Sequence, residues 1–219
     1  PCDDRRLCAA ERAPRAVGGN ARGHHRRLRV HREVQILGRA FVFEDVAHMM
    51  ALPASDAKDR VARLEGAGLI SCEAGGCEFR HALIRDVAYG SLSPLRQRAL
   101  HLRAAEVLRE HRPHLVAQQP GLLAHHYTKA GDVAQAVRFH QAAADLAQGL
   151  SAYREMAWHL RQALGLISGR ELPPALPSQV EASLLLRLGW VVGELDGFGS
   201  DEARDLYGKA QALCQSGGD

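Results

Sequence analysis

From Leu95 to Cys214, apolar residues recur every three or four positions through one segment after another, and no other feature constrains the chain more. Leu95 to Glu110, Leu122 to Ala130, Val133 to Gln148, Ala152 to Ile167, Val180 to Leu195 and Glu202 to Cys214 each carry such a stripe. In the first of these, Leu95, Leu102, Ala105 and Leu108 are expected to face inward. Gly131-Asp132, Gly149 to Ser151 and Gly197-Phe198-Gly199 mark joints between helices. Ser168 to Pro177 holds Pro173, Pro174 and Pro177 and is expected to be a linker. Aromatic residues are only 5% of the 219, and long β-branched runs are absent. The fold class expected is all-α with a small hairpin wing.

The helices also repeat. Leu123 and Tyr127, followed by Ala136, His140 and Ala143, have the tetratricopeptide spacing of large apolar residues on one helix and small ones on its partner. Met156, Leu160 and Ala163 restate the second half of that pattern, and Ala203, Tyr207 and Ala210 restate it again after Leu188-Gly189. Small residues let two backbones approach, and large ones fill the groove between pairs. The intervals are unequal, so residues 94–219 are expected to form an irregular array.

Residues 33–93 differ from the array. Val34, Ile36, Leu37, Phe41 and Phe43 cluster around Gly38, and Glu44 to Leu52 is expected to be a short helix stopped by Pro53. Ser55 is a candidate N-cap for the next helix, whose inner face would be Val61, Leu64 and Leu69. Leu69 to Cys72 and Cys77 to Phe79 flank Glu73 to Gly76, the pattern of a β-hairpin with a four-residue turn. The chain then passes from strand to helix through Cys77 to Leu92. Phe79, Leu83, Val87 and Ala88 recur at helical spacing and are expected to pack inward, leaving Arg80, His81, Arg85 and Asp86 off that face. Helix, helix, hairpin, helix is the order of a winged-helix unit. Residues 1–32, rich in Arg, Gly and His without apolar periodicity, are expected to be a disordered or non-native basic segment. The chain begins at Pro1 and is expected to be a fragment of something longer.

The net charge of +3 is small and the basic excess sits in that opening segment, which argues against a broad nucleic-acid footprint on the near-neutral remainder. No apolar run is long enough to span a membrane, and no signal peptide opens the chain. Five irregularly placed cysteines suit reduced thiols, Cys72 and Cys77 among them, and a cytoplasmic location. No phosphate-cradling Gly-x4-Gly-Lys-Ser/Thr loop, nucleophile elbow or zinc-protease motif occurs, so no catalytic residue and no metal ligand is expected. His125 and His126 point about 100 degrees apart on a helix and are expected to be core or edge residues.

With these motifs in view, the chain resembles the region C-terminal to the nucleotide-binding module in bacterial signal-transduction ATPases of the STAND type. It is most similar to the predicted-ATPase part of class III adenylate or guanylate cyclases and of LuxR- and SARP-type regulators. The likeness covers about residues 33–219 and rests on Phe79 to Tyr89, Leu100-His101, Leu122 to Tyr127, Ala130-Gly131, Ser151 to Tyr153, and Gly197 to Ser200 followed by Tyr207, Ala210 and Cys214. It implies a switch unit that folds back on an upstream nucleotide-binding domain in cis. His81, assisted by Arg80, would there reach the phosphates of ADP. ATP or ADP would belong to the parent protein, with no cofactor held by this chain, and the repeats would take a protein partner or effector. The alternatives are a DNA-binding transcriptional regulator, or part of a cyclase whose catalytic domain lies elsewhere. Asp56 to Glu65, the helix that would enter a DNA groove, mixes Lys58, Arg60 and Arg63 with Asp56, Asp59 and Glu65, which weakens the first.

Overall fold

A computed structural model describes residues 40–73, 76–168, 176 and 179–216. The segment 1–32, the cluster Val34, Ile36, Leu37 and Gly38, and most of the linker lie outside the described residues. The first elements are β1 (Ala40–Phe41), α1 (Phe43–Met50), α2 (Ala54–Gly66), β2 (Ile70–Glu73), β3 (Gly76–Phe79) and α3 (Ala82–Gly90). The rest is helical: α4 (Pro94–His111), α5 (Pro113–Gln118), α6 (Pro120–Ala130), α7 (Val133–Gly149), α8 (Tyr153–Ile167), α9 (Val180–Asp196) and α10 (Asp201–Ser216). The protein is therefore mostly helical, with a small antiparallel sheet.

That sheet has three strands in the order β1-β3-β2. β2 and β3 pair from Ile70 opposite Phe79 to Glu73 opposite Gly76, so the strands run one residue further at each side than the expected four-residue turn allowed. β1 adds to the free edge of β3, with Ala40 opposite Glu78 and Phe41 opposite Cys77. Cys72 and Cys77 sit opposite one another in this ladder and are joined by a disulfide, not left as the two thiols expected from the sequence. The side chains of a directly opposed antiparallel pair project from the same face at short range, which is what makes the bond reachable. Pro53, not Ser55, is the cap residue of α2, and Ser55 instead bonds the neighbouring Asp56.

α4 is the element on which the fold turns. Leu100, Ala104 and Val107 complete a core with Phe41, Val46, Val61, Leu64, Ile70 and Phe79. Ala105 and Leu108, on its other side, join Leu123 and Tyr127 of α6 and Ala136 of α7. Leu95 is 79% exposed and Leu102 is 39% exposed, contrary to the inward stripe expected for them. The stripe that is buried advances through 100/101, 104/105 and 107/108, closer to 3.6 residues per turn than the sequence expectation was.

α3 corrects a second expectation. Leu83 and Val87 are 74% and 67% exposed, although both were expected to pack inward. Phe79, the residue that set their phase, belongs to β3 and alternates with the strand period of two. A helical stripe cannot be extended through a strand. Among the described side chains, Tyr89 and Leu92 pack against the core.

Beyond α4 the helices pack in chain order: α4 on α6, α6 on α7, α7 on α8, α8 on α9, and α9 on α10. Small residues lie at these contacts. Ala136, Ala144, Ala163, Ala203 and Ala210 are fully buried. Large ones fill between them, and the rings of Tyr127 and Phe139 stack with centroids 5.4 Å apart. One continuous core runs from Val137 on α7 to Ala210 on α10. The first elements are fastened to the array through α1. Arg112 donates from Nε to Oδ1 of the buried Asp45 at 3.0 Å, Arg103 donates to the His48 carbonyl, and the His48 and His111 rings stack at 3.6 Å.

Candidate functional site

The two residues singled out for phosphate sensing, Arg80 and His81, are both exposed at the junction between β3 and α3. The Arg80 amide donates to the Leu69 carbonyl at 3.2 Å, closing the mouth of the hairpin and fixing the direction in which α3 departs. The two side chains are thus presented together at a pinned turn.

The sequence points to His126 as a core or edge residue and to His140 on a repeat face, but not to the set they belong to, buried histidines on successive helices. His101 on α4, His126 on α6, His140 on α7 and His159 on α8 are all nearly inaccessible to solvent. They form two pairs. In the first, Tyr89 Oη lies 3.1 Å from His101 Nε2, and His101 Nδ1 lies 3.0 Å from His126 Nδ1. His126 Nε2 is buried without a partner. Two nitrogens of neutral rings can bond only if one donates, so the pair has two arrangements. If His101 donated, His126 would carry its proton on the orphaned Nε2. If His126 donates from Nδ1, the orphan is a bare lone pair, and His101 gives its own proton to Tyr89. Orphaned buried donors are rarer than bare acceptors, which selects the second arrangement.

In the second pair, His140 Nδ1 and His159 Nδ1 are 3.0 Å apart, Thr128 Oγ1 lies 3.4 Å from His140 Nε2, and His159 Nε2 lies 4.0 Å from Glu155 Oε1. Trp158 stands edge-on to His159 with centroids 4.7 Å apart and is half exposed. Burial holds these rings neutral. It lowers His101 to about 4, with help from His125 and Lys129. It lowers His126 to about 3, with the charges of His101 and His125 adding. It lowers His140 to about 4, with His159 and His125 adding. His159 is also lowered by burial, against an upward pull from Glu155. Desolvation disfavours the imidazolium in each case.

His126 is indeed a core residue, whereas its neighbour His125 is exposed. A signal was present in the sequence. His126 follows Leu123 by three positions, His140 follows Val137 by three, and His159 follows Met156 by three. The same spacing that put His140 on a repeat face would have placed His159 on the inner stripe of α8.

The second pair ends at a cavity of about 430 Å³. Gln118 and Gln119, the first turn of α6, the C-terminal half of α7 with Leu146 and Leu150, and Glu155 and His159 of α8 line it. Gly121 lies so close to the His159 ring that a Cβ there would meet it at 2.9 Å, so the glycine makes room for the imidazole at the cavity wall. The polar side chains of the lining are the amides of Gln118 and Gln119, the Glu155 carboxylate and the His159 imidazole. Among the described residues no three His, Cys, Asp or Glu side chains converge in a way that could hold a metal ion, and no helix is long and apolar enough to cross a membrane. Comparisons with protein families, with characterised proteins and with solved structures each found no match to this chain.

Proposed function

We propose that this chain is a non-catalytic regulatory and interaction segment of a multidomain signal-transduction ATPase. In this reading the first elements are a winged-helix switch and the helices after α4 are tetratricopeptide-like repeats that take a protein partner or effector. The observation that carries the reading is the serial packing of α4, α6, α7, α8, α9 and α10, each against the next, with alanines at the contacts. Such an array has an extended surface and a core that depends on neighbours alone, the property that suits helical repeats to binding. The order strand, helix, helix, hairpin, with β1 beside β3, agrees with a winged helix.

The relay would run through α1, which Arg112 and Arg103 hold to the array, so a force on the first elements is passed to α4. Arg80 and His81 are exposed together at a fixed turn, as a contact to the phosphates of a nucleotide on an upstream domain requires. The parent protein is expected to carry a Gly-x4-Gly-Lys-Ser/Thr loop ahead of Pro1 and to hold ADP. His81→Ala in that protein should speed ADP release about tenfold, the size expected for loss of one charge-assisted hydrogen bond. An unchanged off-rate, measured with a fluorescent ADP analogue, would remove the sensor role.

A further inference from the structure

We propose that the cavity between the first turn of α6, the end of α7 and the start of α8 binds a small organic cation, an ammonium group on an apolar body, through Glu155 and His159. This rests on the reading of the array as the effector-binding part and names the chemistry of the effector. The cavity, at about 430 Å³, falls in the range of small-molecule sites. Glu155 is the one charged residue among its described lining, so the site has a negative sign. At the rim, Leu150 is 72% exposed and Leu146 is 38% exposed, apolar surface on which an alkyl or aryl body can rest.

The spacing of the two polar groups decides the ligand. His159 Nε2 and Glu155 Oε1 are 4.0 Å apart, too far for a direct hydrogen bond. One tetrahedral nitrogen donating to both at ordinary lengths of about 2.8 Å would hold two acceptors roughly 4–5 Å apart. The gap therefore fits an ammonium that donates one hydrogen to the carboxylate and one to the imidazole. His159 can accept because burial keeps it neutral, and because its Nδ1 can donate to His140 Nδ1. His140 then donates from Nε2 to Thr128 Oγ1, so every polar atom of the chain from ligand to α6 is met. An anion finds less here. It would face the Glu155 carboxylate, and α6 begins with Pro120, whose nitrogen has no hydrogen to offer.

The test is a titration of the purified chain at pH 7 with isopentylamine, followed by NMR of the histidine rings. Isopentyl alcohol and isovalerate serve as the uncharged and anionic isosteres. The amine should saturate and shift the His159 and His140 resonances, with both isosteres binding at least about tenfold more weakly, because a charge-assisted hydrogen bond is lost. Glu155→Gln changes an exposed side chain and leaves the fold intact, and it should weaken the amine about tenfold. Tighter binding of a lysine-containing peptide than of isopentylamine, lost in the same variant, would support the same chemistry with a partner chain as its source. Equal binding of amine and alcohol would mean that a water, and not an ammonium, bridges the gap. That result, or an unaltered amine affinity in Glu155→Gln, overturns the proposal. Neither result touches ADP retention by the parent protein, where the wider reading is tested.

Discussion

His140 and His159 meet Nδ1 to Nδ1 at 3.0 Å across the contact of α7 and α8, so the two helices share one buried proton between neutral rings. Each ring satisfies the other, and neither can be removed without leaving a polar atom in an apolar wall. His140→Ala should cost about 2–4 kcal/mol, from a stranded nitrogen on His159 together with the space left behind. The double variant His140→Ala/His159→Leu should lose less than the sum of the two single changes, because no stranded nitrogen remains. Urea unfolding of the four proteins measures this, and strict additivity would mean that the contact contributes nothing.

Acid should weaken the protein across a definable window. An unfolded histidine takes up a proton near pH 6.5, whereas His101 and His140 resist to about 4 and His126 to about 3. Below pH 6.5 the unfolded chain binds more protons than the folded one, so stability falls as pH drops. It stops falling, on their account, only once the folded rings themselves titrate. Each contributes up to about 1.4 kcal/mol per pH unit inside the window. His125 and Lys129, which face the first pair, deepen the loss when charged, and Glu155 beside His159 offsets part of it. Thermal melting between pH 7.5 and 4 should show the fall, and His126→Leu should flatten it.

The ion pair between Asp45 and Arg112 should matter more than most. Its carboxylate side chain is only 10% exposed, and it is met by Arg112 Nε at 3.0 Å. Arg112→Ala should destabilise the chain by about 2–3 kcal/mol, since it leaves a buried charge without its partner. Asp45→Asn in the same background should recover a good part of that. Chemical denaturation of the single and double variants distinguishes a stranded charge from lost packing, which Asp45→Asn would not restore.

Gly76 has φ +139°, and a Cβ there would lie 2.8 Å from the Phe41 carbonyl oxygen. Because the clash is with backbone of β1, no side chain can turn aside to relieve it. Gly76→Ala should therefore cost about 2–4 kcal/mol, from the disfavoured conformation and the displaced strand together. A loss below 0.5 kcal/mol in a urea melt would contradict the close approach of β1 to β3.

Most of the helices were legible because their stripes are long and their stops are explicit. Gly131 closes α6 and Asp132 caps α7 through its bond to the Gln135 amide, both as the sequence pattern suggests. The residues placed on the repeat faces, Leu123, Tyr127, Ala136, Met156, Leu160 and Ala163, are buried. The phase of a helix was harder to read where it begins beside other structure. Leu83 and Val87 are exposed because the strand phase at Phe79 does not carry into their helix, and Leu95 because it lies in the first turn of α4, ahead of the buried residues that begin at Leu100. β1 is two residues long and has no period to recognise. His126 and His140 were legible as core or repeat-face positions, but the pairing of the histidines was not, because the rings that meet come from chain segments up to 25 positions apart.

The double use of α4 bears on how the chain can be divided. A fragment ending at Ser93 would keep Phe41, Val46, Ile70 and Phe79 but lack Leu100, Ala104 and Val107, which close over them. A fragment beginning at Leu122 would leave Leu123 and Tyr127 without Ala105 and Leu108. The first piece loses the cover of its core, and the second keeps the core from Val137 to Ala210 but bares Leu123 and Tyr127. Heat should accordingly melt both halves in one step, and a protease that cuts within α4 would open both interiors that meet on it.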